Sequence, residues 1–389
     1  MKAIFIDIPG PSDYEKVWSL QNKLHKMRVS GEINDILILT EHEHVYTIGK
    51  AGNEKDLRVS EFFLKDLGVK IFKIDGIRNG WKGLMSLDTF PLDLINISGI
   101  LPRGGTILGT SRTNPNKLPD GEKKILENLE NGKIDVIVAI GGEDTLSVAY
   151  KLHKAGVNVV GIPKTIDNDV RGTDYSIGFD TAVNIAMEAI DRVHTTAESH
   201  NRVAVVEVMG RHTGWIALYS GLAGGADVIL IPEKPFDIDQ VCKIIEKRHA
   251  RGKNFSIVVV AEGAKFKVEE QVDKDGTLIV QDLRVDEFGH VRLGGIGNLV
   301  ADQIEKRTGM EARATILGHI QRGGSPTAFD RILATRFGVK AVELINERKF
   351  GVMTALQGSD IVEVELYEVV GGLKTVNPEL FEIAEVFFG

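Results

Sequence analysis

The feature that most constrains this chain is an alternation. Short runs dense in valine and isoleucine recur: IDVIVAI at 134–140, VNVVGIP at 157–163, RVAVVEVM at 202–209, ADVILIP at 226–232 and FSIVVVAEG at 255–263. Nearly continuous β-branched runs are those of strands buried on both faces. Between them lie amphipathic stretches: LSVAYKLHKAG, the segment from Thr181 to Ser199, and WIALYSGLAGG, whose glycines end it. Strands separated by helices predict an α/β chain with largely parallel sheets. At 389 residues, two to three domains are expected, with no internal repeat or low-complexity linker between them.

The first 75 residues have a different texture. MKAIFIDI reads as a strand, Ser12 can cap a helix running to about Val29, and DILILTE and VYTIGK read as two further strands. EHEH at 41–44 follows a strand and is read as solvated rather than as a metal site. Cys242 is the only cysteine, which rules out an intrachain disulfide and fits a reducing compartment. No apolar run nears the roughly 18 residues of a membrane span. A strand-like start argues against a secretory leader, so the expected location is the cytoplasm. The net charge of −8 excludes a nucleic-acid binder on bulk electrostatics. An anion site here must be a local basic cluster.

Five loops carry candidate chemistry, and each follows a predicted strand. GGEDT runs from Gly141 to Thr145. Two glycines let backbone approach a phosphate, and Glu143 or Asp144 suits Mg²⁺, which binds through one or two carboxylates plus substrate phosphates. A turn with helix-capping acids is the plainer alternative. PKTIDND, Pro163 to Asp169, groups two aspartates with a lysine and a threonine. A carboxylate there can take a proton from a hydroxyl, although an Asx-rich turn has the same composition. EVMGRHTGW places Arg211 after a strand-ending glycine, and AEG ends a strand on Glu262. RATILGHIQRGGSP, Arg313 to Pro326, offers two arginines and a histidine, arginine being the planar phosphate clamp. The GGIG at 294–297 lacks the dinucleotide-loop spacing and is read as packing glycines.

From GIRNGWKG at 76–83 onward, the chain resembles the phosphofructokinase family. The resemblance rests on SGILPRGGTILGTSRTNP, GGEDT, PKTIDND, SHNRVAVVEVMGRHTGW, AEG and LGHIQRGGSPTAFDR, in order. It implies two parallel-sheet α/β domains with the active site between them. Residues 76–178 and 321–371 would form the larger, donor-binding domain, and 179–320 with 372–389 the fructose 6-phosphate domain. It makes Asp167 the base for the C1 hydroxyl of fructose 6-phosphate, with Asp144, Lys164 and Asp169 as catalytic partners and Glu143 as the Mg²⁺-associated acid. Arg112, Gly141, Gly142, Asp144 and Thr145 fall at donor-binding positions. Thr165, Ile166, Asp167, Arg202, Met209, Gly210, Arg211, Glu262, Arg313, His319, Ile320, Gln321 and Arg322 fall at sugar-phosphate positions. Arg202 and Arg313 correspond to residues that a neighbouring subunit supplies, which implies a homodimer or homotetramer.

Within the family, Asp144 together with Lys164 resembles members that use pyrophosphate. A carboxylate at Asp144 lies where the α-phosphate of ATP would sit, and like charges about 4 Å apart repel by about 4 kcal/mol at an effective dielectric of 20. The expected reaction is phosphorylation of fructose 6-phosphate by pyrophosphate with Mg²⁺. The same reaction with ATP is the alternative, and an inactive binding or structural subunit is the reading from another class. The last arises because no GG-x-x-PG-x-N donor loop opens the chain. Instead, LILTEHEHVYTIGKAGNEKDL and GVKIFKID resemble the start of the lipoyl(octanoyl) transferase family, so residues 1–75 read as a foreign α/β segment. The RGG-x-TYHGPGQ motif of that family is absent, which argues against acyl transfer.

Overall fold

The computed structural model describes residues 4–11, 23–24, 26–27, 29–30, 36–41, 72–267, 280–285, 291–293 and 295–388. The chain divides after Lys73 into two compact units. In the first, β1 (Ile4–Pro11) pairs in parallel with β2 (Ile36–Glu41), as MKAIFIDI and DILILTE predict. Ser12, VYTIGK and residues 42–44 of EHEH lie outside the described residues.

The second unit opens with β3 (Asp75–Ile77), α1 (Trp81–Ser86) and β4 (Thr89–Pro91), the two strands antiparallel. There follow α2 (Gly121–Asn131), β5 (Ile137–Gly141), α3 (Glu143–Lys154), β6 (Val159–Thr165) and the short β7 (Ile177–Gly178). The chain continues through α4 (Phe179–His200), β8 (Val203–Val208), α5 (Trp215–Ala223), β9 (Val228–Leu230), α6 (Ile238–Ala250) and β10 (Ser256–Ala261). A hairpin of β11 (Val280–Val285) and β12 (Val291–Leu293) precedes α7 (Ile296–Thr308) and β13 (Ala312–Ile316). A 3₁₀ turn at Gly318–Arg322 leads to α8 (Ala328–Asn346), β14 (Val352–Gln357), β15 (Asp360–Glu365) and α9 (Pro378–Glu385).

Two sheets organise these elements. The first has the order β15-β14-β6-β5, parallel except for β15, with β7 added beside the end of β6. The second has the order β13-β8-β10-β9 and is wholly parallel. Each sheet is covered on both faces. One core under the first sheet gathers Ile125, Leu146 and Leu152 from α2 and α3, and the other lies under Leu333 and Phe337 of α8. The second sheet packs Ile190 and Ile216 of α4 and α5 on one face, and Ile245 and Ile304 of α6 and α7 on the other. Parallel strands need such double cover, which is why β8 and β10 are buried at every position.

One strand departs from the two-faced expectation. IDVIVAI yields β5, where burial alternates and Val138 and Ile140 stay 40% and 46% exposed. The reason is position: among the described residues β5 is an edge, paired to β6 alone.

Helix α4 carries the chain from the first sheet to the second. Its 22 residues span about 33 Å at 1.5 Å per residue. Its N-terminus is held from 150 residues away. Gly178 N–H and Thr181 N–H donate to the buried Asp330 carboxylate at 2.9 and 2.8 Å, and Thr327 Oγ1 donates to Asp180 at 2.6 Å. These bonds clamp the start of α4 to the start of α8, just beyond the 3₁₀ turn that bears His319, Gln321 and Arg322.

Candidate active site

On the first sheet, β5 stops at Gly141 and α3 begins behind Gly142, with Glu143 and Asp144 in its first turn. Gly141 is tightly required, because a Cβ there would lie 2.4 Å from the Thr145 side chain. The bare backbone leaves the α3 N–H groups facing the strand ends, an arrangement that favours anions. The α-carbon of Gly142 faces Thr165, at the end of the neighbouring β6.

The turn after β6 is braced from within. Thr165 Oγ1 accepts from Asp167 N–H at 3.2 Å, and Ser176 Oγ donates to Thr165 O at 2.7 Å. Asn168 sits in the left-handed region at φ 51°, buried, with Nδ2 donating to Asp174 O and Oδ1 accepting from Ser176 N–H. This pins the residues on either side of it, Asp167 and Asp169.

The second sheet meets this turn with its own strand ends. Glu262 N–H donates to Val208 O and Gly263 N–H to Gly210 O, locking the tails of β8 and β10 together. Gly210 adopts φ +138°, and a Cβ on Gly263 would come within 2.0 Å of Arg211 O. Thr213 Oγ1 donates across the crevice to Asp167 O at 3.2 Å. Gln321 is buried and its amide is committed to the protein: Oε1 accepts from Met209 N–H and Nε2 donates to Gly318 O. His319, Ile320 and Arg322 of the same turn stay exposed. Ile166 packs against the core beneath α4.

The electrostatics mark these groups as a set. Burial raises the Asp167 pKa, while the Arg322 and Arg211 guanidinium charges oppose the rise. Asp169 is pushed up to about 7, first by burial, then by Asp167, with Glu143 adding to it. Glu262 is raised by burial and by Asp167. Lys164 keeps a solvent-open side, yet desolvation and then the Arg322 charge lower its pKa. Two cations held together favour an anion between them, and carboxylates held together favour a cation. Of the five buried side-chain polar atoms without a hydrogen-bond partner among the described residues, two belong to this cluster, Asp169 Oδ1 and Arg211 Nη1. Buried polar groups are nearly always paired, so each of these points to a ligand group of opposite charge. Among the described residues, no three acids, histidines or cysteines form a ready-made cage. Asp169 and Glu143 are the carboxylates of this cluster that could hold a divalent cation, of the kind that binds through one or two carboxylates.

Two of the remaining expected arginines, Arg202 and Arg313, lie elsewhere. Arg112 is exposed on a stretch anchored by Ser111 Oγ to Asn79 O and by Asn79 N–H to Leu108 O. Earlier in the same stretch, the α-carbon of Gly104 lies hard against the Gly324 carbonyl, two residues beyond Arg322. Arg202 precedes β8, and Arg313 stands opposite Ala204 on β13. Both are at the amino ends of their strands and bond to Glu311 at 2.6 Å, beside an open pocket of about 200 Å³ that Arg192 also lines. Arg211 is nine residues on from Arg202 across a six-residue strand, roughly 20 Å away at 3.3 Å per residue. One chain does not bring Arg202 and Arg313 to Asp167.

A family model described as phosphofructokinase matches residues 62–345. The chain belongs to the phosphofructokinase family. A protein named pyrophosphate--fructose 6-phosphate 1-phosphotransferase from Streptomyces coelicolor is 57% identical over 325 residues, covering 83% of this chain and 93% of that one. ATP-dependent 6-phosphofructokinase 3 of the same organism is 51% identical over 313 residues, covering 80% and 90%. The crystal structure of Pichia pastoris phosphofructokinase in the T-state superposes with a TM-score of 0.67 at 31% identity, over 81% of this chain and 33% of that longer one. Residues 13–76 match the lipoyl protein ligase A/B catalytic domain. The two family matches overlap at 62–76, so the junction falls within that stretch.

This phosphofructokinase also holds site residues that no local motif announced. Lys374 lies next to Asp169 and Asp174, with its pKa lowered to about 8 by burial. Glu207, inside β8, accepts from Gly297 N–H at 2.7 Å and Gly295 N–H at 3.3 Å, so the glycines at the start of α7 serve packing, as expected.

Proposed function

We propose that this chain transfers a phosphoryl group from pyrophosphate to the C1 hydroxyl of fructose 6-phosphate, giving fructose 1,6-bisphosphate. The observation that carries the reading is the convergence of Asp167, Lys164, Arg211 and Arg322 in one crevice beside the unpartnered Asp169 Oδ1. Asp167 takes the hydroxyl proton. Its raised pKa brings it nearer the operating pH, as a general base requires, while Arg211 and Arg322 keep it ionisable. Arg211 Nη1 seeks an acceptor, which a sugar-phosphate oxygen provides. Lys164 and Arg322 stabilise charge on the transferring phosphoryl, in the way fixed cations serve such transfers. Asp169 and Glu143 would hold an Mg²⁺ ion, whose charge would offset that of the donor phosphates. The first sheet, with 76–178 and 321–371, receives the donor, and the second, with 179–320 and 372–389, receives the sugar phosphate.

Asp144 in the first turn of α3 favours pyrophosphate, because its carboxylate opposes an α-phosphate. ATP is the second reading, favoured by the 51% identity to an ATP-dependent relative. An assay of fructose 1,6-bisphosphate formation with Mg–pyrophosphate against Mg–ATP decides between them. Product from neither donor, with sugar-phosphate binding intact, would favour a binding subunit.

The reading includes a homo-oligomer, in which Arg202 and Arg313 reach the sugar phosphate of a neighbouring copy. Mixing Arg313→Ala protein with Asp167→Ala protein should regenerate active sites as subunits exchange. Mixed oligomers without activity would mean that each chain works alone. The described residues contain no helix long and apolar enough to cross a membrane, and the reading places the enzyme in the cytoplasm.

A further inference from the structure

The two halves of the crevice are tied by a short strap of chain near the C-terminus. Lys374 N–H donates to Asp169 O at 2.8 Å, and Lys374 Nζ donates to Thr173 O at 2.9 Å and Asp174 O at 2.8 Å. These three bonds grip the turn after β6, on the first sheet. The other side of the strap grips the second sheet. Trp215 Nε1 donates to Lys374 O at 2.8 Å, and the Lys374 ammonium stands 5.1 Å from the Trp215 ring centre. Val376, buried, donates its N–H to Glu233 Oε1 at 3.0 Å, and both Glu233 oxygens accept from Gly214 N–H. One three-residue stretch thus holds the loop of Asp167 and Asp169 against the loop of Gly210, Arg211 and Trp215.

We propose that Lys374 is a positioning residue for the phosphoryl transfer, setting the register of the Asp167–Asp169 turn against the Arg211 loop. It touches no reacting atom. Its ammonium satisfies two carbonyls that end a turn also tied across the crevice by Thr213 Oγ1 to Asp167 O and by the contact of Tyr175 with Tyr219. The chemistry needs both halves at once, since the base stands on one and the Arg211 clamp on the other. A displacement of about 1 Å in such an alignment costs about 100-fold in rate. The kinetic half of this inference rests on the phosphofructokinase reading; the mechanical half does not.

The test uses the full chain and two variants. Lys374→Met removes the ammonium and keeps the stem on Trp215. Glu233→Gln weakens the far anchor of the same strap and serves alone if Lys374→Met does not fold. Hydrogen exchange reads the mechanical half. Residues 165–176 and 210–216 should both lose tenfold or more in protection, with β5 and β10 unchanged. Kinetics read the other half. kcat should fall 10- to 100-fold with fructose 6-phosphate affinity held within threefold, and the double variant should lose less than the product of the single losses, as one shared tie requires. Exchange that rises in one loop only, or everywhere, overturns the tie. Loosened loops with an unchanged kcat overturn the positioning role. If the unaltered chain turns over neither donor, the phosphofructokinase reading fails on its own, and exchange still decides whether the strap couples the loops.

Discussion

Strands β5 and β10 end alike, in an apolar run, a small residue and an acid, yet they rest on different foundations. Strand β10 lies inside its sheet, and all six of its residues are buried. Strand β5 is an edge among the described residues, with Val138 and Ile140 turned partly to solvent. In the proposed assignment, the sugar-phosphate half of the site stands on a platform packed from both faces and both sides, and the donor half on a strand paired on one side among the described residues. On that assignment, fructose 6-phosphate recognition and donor recognition rest on separately built supports, and the second is the more sensitive to changes at the β5 edge.

The sharpest way to break this comparison is to remove the group where the halves meet. Asp167→Asn should lower kcat by about 10²–10⁴-fold while fructose 6-phosphate affinity, measured by calorimetry, stays close to that of the parent. Near-parental kcat would show that the base lies elsewhere.

The foundations can be compared directly. Ile257→Ala, within β10 and fully buried, should lower unfolding stability by about 2–5 kcal/mol. Ile140→Ala, at the open edge, should cost roughly 1 kcal/mol or less. Denaturant melts of the two variants give the ratio. Equal losses would mean that the β5 edge is covered in solution.

Much of this was legible in the sequence, and the limits have physical causes. Central strands announce themselves because double burial demands continuous Val and Ile, and β6, β8 and β10 fall where predicted. The loops were legible because strand, glycine and acid occur in fixed succession. The exposure of β5 was not, since IVAIG reads like any central strand and edge status depends on distant neighbours. Lys374 was invisible for the same reason: its partners Thr173 and Asp174 lie some 200 residues away in sequence. Asp330, which caps α4 across 149 to 152 residues, was hidden likewise.

A smaller effect sharpens the acid–base side. A carboxylate with a raised pKa gains its proton at higher pH than a free one, so a function that needs it ionised is lost as pH falls through the raised value. With Asp167 raised by burial, kcat/KM for phosphorylation should fall about tenfold per pH unit once pH drops below that raised value. An acid limb no higher than that of an ordinary aspartate would contradict the assignment of this group.

The most direct test of the central claim is the ratio of kcat/KM for Mg–pyrophosphate to that for Mg–ATP, in the parent and in Asp144→Gly. The account predicts a ratio well above one in the parent and a fall of about tenfold or more in the variant. Removing a raw repulsion of about 4 kcal/mol leaves ample room for that change even after solvent screening. A parent that prefers ATP, or a ratio unmoved by the substitution, would contradict the claim that Asp144 fixes pyrophosphate as the donor.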